Sequence, residues 1–176
     1  MSRVFEKPIE EIMKKKKEKE TREIREFHLP TYQEIPGVGL YLDQTSKYIN
    51  ECLNDFDDCE ITNSMISNYV KKDLIDHPVK KQYGRDQIAH LLFIAMTKSA
   101  LSLDDVASLF RMQKDIYSCE EAYGCFRDFF EKLYYGEQID LRKEVKIEKI
   151  LLRDIVSLIV QNEALHRRLK EVTVIK

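Results

Sequence analysis

Tryptophan is absent from this chain of 176 residues, and glycine and proline are scarce, at five and four. With charged residues at 34%, that shortage favours helices over a β-sandwich. No apolar run approaches the length of a membrane span, and the N-terminus lacks the apolar core of a signal peptide. A soluble cytoplasmic protein is expected. Cys52, Cys59, Cys119 and Cys125 form no CxxC pair and have no histidine at ligand spacing, so they read as buried free thiols. His28, His77, His90 and His166 are equally scattered, and no metal site is expected. A nucleophile beside a base, a glycine-rich phosphate loop and a carboxylate pair are all missing from the pattern. An enzyme reading therefore has no residues to rest on, and no cofactor is expected. The net charge of −2 excludes a generally basic coat for nucleic acid, though not a local basic patch.

What the chain does contain is apolar residues at 43%, enough for a core, arranged at helical period. Residues 1–28 hold the run Lys14 to Lys17 and read as a charged helix or arm. Residues 29–42, with two prolines and two glycines, read as a loop packed through Leu29, Tyr32 and Ile35. A helix is expected over 43–54, capped by Asp43, with "DFDDCE" as the break after it. Thr62 or Asn63 caps the next helix, which buries Met65, Ile66, Tyr69 and Val70 and ends near Asp73. "HPVKKQY" is short and extended. Arg85 to about Lys98 is helical, with Ile88, Leu91, Leu92 and Ala95 on one face. Ser102 with Asp105, and Ser118 with Glu121, have capping-box spacing, so two further helices start there. A last long helix spans roughly 143–171.

The helix after Thr62 is unusual on its outer side. Asn63, Ser64, Ser67, Asn68, Lys71 and Lys72 point away from the Met65, Ile66 and Tyr69 face, and none is acidic. Two short helices, a short basic extended segment and two more helices follow the order of a winged helix-turn-helix, whose second helix enters the major groove. Between residues 62 and 85 stand five basic residues and two acidic ones. Lys80 and Lys81 fall where a wing meets the backbone, and Arg85 follows. Asn and Ser read bases or phosphates, whereas Lys and Arg neutralise phosphates. The competing reading is an ordinary solvated helix with two lysines.

Thr62, Ile66, Tyr69, Leu74, Ile75, Tyr83, Ser102, Leu103, Asp104, Asp105 and Val106 stand in an order that closely resembles the MerR-like winged helix-turn-helix. That resemblance implies a mostly α fold: a winged helix-turn-helix at 43–113 with a minimal wing, and C-terminal helices over 114–176. It also implies a sequence-specific DNA-binding transcriptional regulator whose partner is double-stranded DNA. A wider stretch, from "FHLPTYQEIPGVGLYLDQ" through "TNSMISNYVKK", resembles the bacterial family known as domain of unknown function 1836, which brings no activity. Three departures from the MerR pattern stand out. The wing is short, Ser67 and Asn68 replace an expected arginine, and Glu51, Asp55, Asp57, Asp58 and Glu60 put five acids just before the second helix. The alternative is a protein-interaction module built on a degenerate helix-turn-helix.

In the C-terminal region Leu151, Ile155, Leu158, Asn162, Leu165, Leu169 and Val172 alternate at spacings of four and three, a heptad seam suited to a homodimer. Leu152, Val156, Ile159 and Val160 make the first half apolar nearly all round, which instead suits burial in the chain's own core. The stripe Tyr123, Phe126, Phe129, Phe130, Tyr134 and Tyr135 reads as core; a pocket for a small-molecule effector is its other reading.

Overall fold

Side-chain caps and one short strand pair set the helix boundaries. The computed structural model describes residues 27–140 and 146–174. Strand β1 (Leu40–Tyr41) runs directly into helix α1 (Leu42–Cys52), and a 3-10 turn (Asp57–Cys59) leads to α2 (Asn63–Lys71). Strand β2 (Gln82–Tyr83) precedes α3 (Arg85–Thr97), α4 (Leu103–Lys114), α5 (Cys119–Tyr134) and α6 (Ile147–Val174). The described chain is thus mostly helical with a two-stranded antiparallel sheet, in register Leu40 with Tyr83 and Tyr41 with Gln82. The charged helix or arm expected before residue 27 lies outside the described residues.

The Thr62 hydroxyl accepts the Met65 N–H at 3.2 Å. Ser102 and Asp105 form a reciprocal capping box, as do Ser118 and Glu121. Bonds from these serines hold both carboxyls below their usual range. Asp43 is not the cap of α1. Pairing in β1 keeps Tyr41 extended, so the helix starts at Leu42, and the Gln44 side chain accepts the Tyr41 N–H at 3.0 Å.

Helix α3 is the hub. Sequence periodicity assigned it one apolar face, yet Ala89, Ile94 and Met96 are buried as well as Ile88, Leu91, Leu92 and Ala95. A helix apolar all round belongs in the interior, and α1, the 3-10 turn, α5 and α6 all pack on it. Phe126 and Phe130 of α5 are almost fully enclosed. Phe27 meets Phe56 edge-on at 4.7 Å and Phe130 at 6.0 Å, joining the start of the described chain to the core. The core reading of the aromatic stripe holds for Tyr123, Phe126, Phe129 and Phe130. Helix α6 contributes Ile155, Val156 and Ile159.

The loop from Leu29 is also nailed down. Leu29 and Ile35 are buried, and Arg85, at the first turn of α3, reaches back to it. Its Nε donates to the Ile35 carbonyl at 2.9 Å and its Nη1 to Gln33 Oε1 at 3.1 Å. Its guanidinium lies 5.4 Å from the centre of the Tyr32 ring.

Candidate nucleic-acid interface

Two devices fix the pose of α2. The first is Asn50 on α1, whose Nδ2 donates to the Ile61 carbonyl at 3.0 Å while its Oδ1 accepts the Ile61 N–H at 2.8 Å. The connection from Leu53 to Thr62 is longer than the tight break expected, and this two-bond clamp, with Leu53, Phe56 and Ile61 buried, gives it one path. The second device is at the other end. Asp73 adopts φ 53°, Asp73 N–H donates to Val70 O at 3.0 Å, and Leu74 N–H to Tyr69 O at 2.9 Å. This is the Schellman stop, usually made with glycine. Leu74 and Ile75 then drop into the core. Between the two devices α2 buries Ile66, Tyr69 and Val70.

The basic segment beyond α2 is a minimal hairpin. Val79 and Gln82 exchange both backbone bonds, at 3.0 and 2.9 Å, around Lys80 and Lys81. Both lysines have positive φ, 51° and 66°. A two-residue loop with both φ positive is the primed turn that suits strand twist, and its usual residues are Asn and Gly. Two lysines there cost roughly 1–2 kcal/mol each in backbone strain. The hairpin is held by β2, which pairs with β1 at the start of α1.

The predicted contact residues divide into three groups. Ser64, Ser67, Asn68, Lys71 and Lys72 of α2 and its end are exposed, as are Lys80 and Lys81 at the hairpin tip. Asn63 is half-buried and committed inside the chain: the Ser46 hydroxyl donates to its Oδ1 at 2.6 Å, and its Nδ2 donates to the Asp43 carboxylate. Arg85 is engaged with the loop, as described above. Asn68 sits on the flank of α2, where Met65, Tyr69, Asp58, Lys98 and Leu101 form a shallow groove. Three of the five acids before α2 have partners of their own. Asp58 meets His166 of α6, Glu51 lies 3.8 Å from Lys47, and Asp55 acts on Arg167 of α6.

The heptad seam on α6 also divides. Ile155 lies in the chain's own core at 5% exposure, because the packing of α6 against α3 and α5 claims that side of the helix. Leu151, Leu158, Leu165 and Leu169 remain exposed, the last three at 54% each, and Ile147 extends the row at 73%. At 100° per residue these five fall within about 40° of arc, over about 33 Å of helix. Asn162 is half-buried, its Nδ2 3.4 Å from the Ser99 hydroxyl.

Sequence reading missed Asn50, the conformation of Asp73 and the inward role of Arg85. Their partners are backbone groups set by the fold. None of the four cysteines is in a disulfide; Cys59 is buried, and burial pushes its thiol up to about 12. Among the described residues no cluster of His, Cys, Asp and Glu has the makings of a metal site. No helix of the described residues is long and apolar enough to cross a membrane.

The arrangement defines a class: a helical protein whose first helix pair presents a polar, acid-free face beside a lysine-tipped hairpin. The chain belongs to the family described as Domain of unknown function (DUF1836), whose sequence model matches residues 30–133, from the anchored loop to the end of α5. No curated protein and no solved structure matches it.

Proposed function

We propose that this protein is a sequence-specific DNA-binding transcriptional regulator of the cytoplasm, in which α1, α2 and the hairpin form a MerR-like winged helix-turn-helix with a minimal wing. The observation that carries the reading is the hairpin tip. Two lysines occupy backbone positions where Asn-Gly would be more stable, so their retained strain is explained by what their side chains meet. A polyanion is the partner that two adjacent exposed ammonium groups fit. Lys71 and Lys72 at the end of α2 add to that charge, and Ser64, Ser67 and Asn68 supply short donors and acceptors for base edges. Partnering of Asp58 and Glu51 elsewhere reduces their repulsion of phosphates.

Asn63 and Arg85 act one step back in this account. Asn63 joins α2 to α1, and Arg85 ties the loop to α3, so both position the reading surface. The exposed row on α6 supports a homodimer, which would set two reading heads on two half-sites. A second reading, a protein-docking module, draws support from the Asn68 groove and its neighbour Asp58, an acid where phosphate would approach. Binding to random and genomic duplex DNA across a salt titration separates the two. The DNA reading expects log affinity to fall linearly with log salt, by about 0.9 per phosphate neutralised. A docking module shows no such binding.

A further inference from the structure

Helix α6 exposes a seam that is offset by one residue from the heptad read in the sequence. Between Ile147 and Arg168 its exposed positions are 147, 151, 154, 158, 161, 164, 165 and 168. All but Ala164 alternate at spacings of four and three, the repeat that holds one stripe of a helix against a partner. Ile155 turns into the chain's own core and Asn162 is half-buried, so Asp154 and Gln161 take their places in the seam.

This seam has two columns. Leu151, Leu158 and Leu165 form the apolar one. The other reads Ile147, Asp154, Gln161, Arg168: apolar, acidic, neutral, basic. Arg153 donates to Asp154 from Nε at 2.9 Å and from Nη2 at 2.6 Å. Both bonds go to Oδ1, which leaves Oδ2 for a second partner.

The mixed column decides which way a partner helix runs. In a parallel pair of copies each column meets itself. Asp154 would then face Asp154 and Arg168 would face Arg168, two like-charge contacts in one interface. An antiparallel pair instead sets each column against the other. Centred between Ile159 and Val160, it places Leu151, Leu158 and Leu165 opposite Arg168, Gln161 and Asp154 of the second copy. Asp154 then stands about 4.5 Å along the axis from the second copy's Arg168, and the two Gln161 side chains are offset by the same amount. The Arg168 stem covers Leu151 while its guanidinium reaches the carboxylate. An acidic, neutral, basic order is complementary to itself only when reversed. The occupant whose charges match this face is therefore another copy of α6 running the opposite way.

We propose that two copies of this chain pair through α6 in antiparallel orientation, with Asp154 of each copy bonded to Arg168 of the other across Gln161. The proposal rests on the homodimer reading above and adds its direction. It stands apart from the DNA reading, since no residue of α2 or the hairpin takes part.

Sedimentation equilibrium of the full chain reads the dimer dissociation constant. Asp154→Asn should raise it by about threefold, because one surface ion pair is lost at each of two symmetric places; a parallel pair would be tightened instead. Asp154→Arg and Arg168→Asp should each raise it roughly tenfold, since each sets like charges together. The double variant Asp154→Arg, Arg168→Asp restores the complement with its signs exchanged and should return to within about threefold of wild type. Both positions are exposed, so the far-ultraviolet circular dichroism of all four variants should match wild type. A dimer that Asp154→Asn leaves unchanged or tightens, or charge reversals that the double variant does not correct, overturns the antiparallel pairing and leaves the homodimer standing. A wild-type chain that is monomeric at every concentration overturns both.

Discussion

Helices α2 and α6 each leave a whole face outside the core, and they fill it with opposite materials. On α2 the outward side chains are Ser64, Ser67, Asn68 and Lys71, with no acid among them; on α6 they include an apolar row, Ile147, Leu151, Leu158, Leu165 and Leu169, bordered by exposed Asp154 and Gln161. A short polar face rests in water at no cost, and a polar, charged partner offsets its desolvation by replacing the hydrogen bonds that water made. A row of leucines is unfavourable in water by roughly 25 cal/mol for each Å² left wet, and a second apolar surface relieves that. The difference teaches that exposure alone says little about function. On the reading proposed above, the composition of an exposed face points to its partner: a polyanion for α2 and its hairpin, another copy of the chain for α6.

Substitutions that strike one face and spare the other would sharpen this contrast, and a control in the interior should strike both. Phe130 is fully enclosed in the core, with the Phe27, Phe56 and Phe126 rings around it, so Phe130→Ala should cost about 3–5 kcal/mol of stability in chemical denaturation. A cost near zero would mean that the core is assembled differently. Asn50→Ala should cost about 1–3 kcal/mol, because it leaves the Ile61 N–H and carbonyl without partners. It should also weaken DNA binding while leaving the oligomeric state alone, since the clamp sets only the pose of α2. Leu165→Glu should raise the dimer dissociation constant roughly tenfold or more in sedimentation equilibrium, by placing charge in an apolar contact. Its melting temperature at monomer concentrations should match wild type, because Leu165 is already exposed. A wild-type chain that stays monomeric at every concentration would break the α6 half of the comparison.

One further stability effect has the opposite sign. Lys80→Asn with Lys81→Gly gives the primed turn its preferred residues, so the double variant should be more stable by about 1–2 kcal/mol, less than the summed strain because asparagine keeps part of it and glycine loses more freedom on folding. Gaining stability while losing function is the signature of strain kept for a partner. A stability loss would show that the two lysines serve the fold itself.

Much of this architecture is legible in the residues. Thr62, Ser102 and Ser118 announce their helices because capping is local chemistry: a side-chain oxygen and the backbone N–H it accepts lie three residues apart. The exposed face of α2 is legible for a similar reason, since one turn of helix fixes which side chains share a direction. A short, minimal wing is legible at Lys80 and Lys81, but the type of its turn is not, because Lys80-Lys81 hides a primed turn that Asn-Gly would advertise. Arg85 looked like a phosphate contact because its charge is visible in sequence, whereas the carbonyls it meets, at Gln33 and Ile35, belong to a loop some fifty residues earlier. Ile155 fits a heptad as well as any leucine near it. Only the packing of α6 on α3 and α5 decides that its side of the helix turns inward.

The most direct test of the claim that α2 and its hairpin meet DNA is the salt dependence of duplex binding, measured for the wild type and for the Lys80→Asn, Lys81→Gly variant. The account predicts wild-type binding at low salt tighter than about 10⁻⁴ M, with log affinity falling steeply against log salt. The variant, although more stable, should bind all sequences more weakly, with a slope shallower by about two units if both lysines contact phosphates. A wild-type chain that binds no duplex more tightly than about 10⁻⁴ M, or a variant with an unchanged slope, would contradict it.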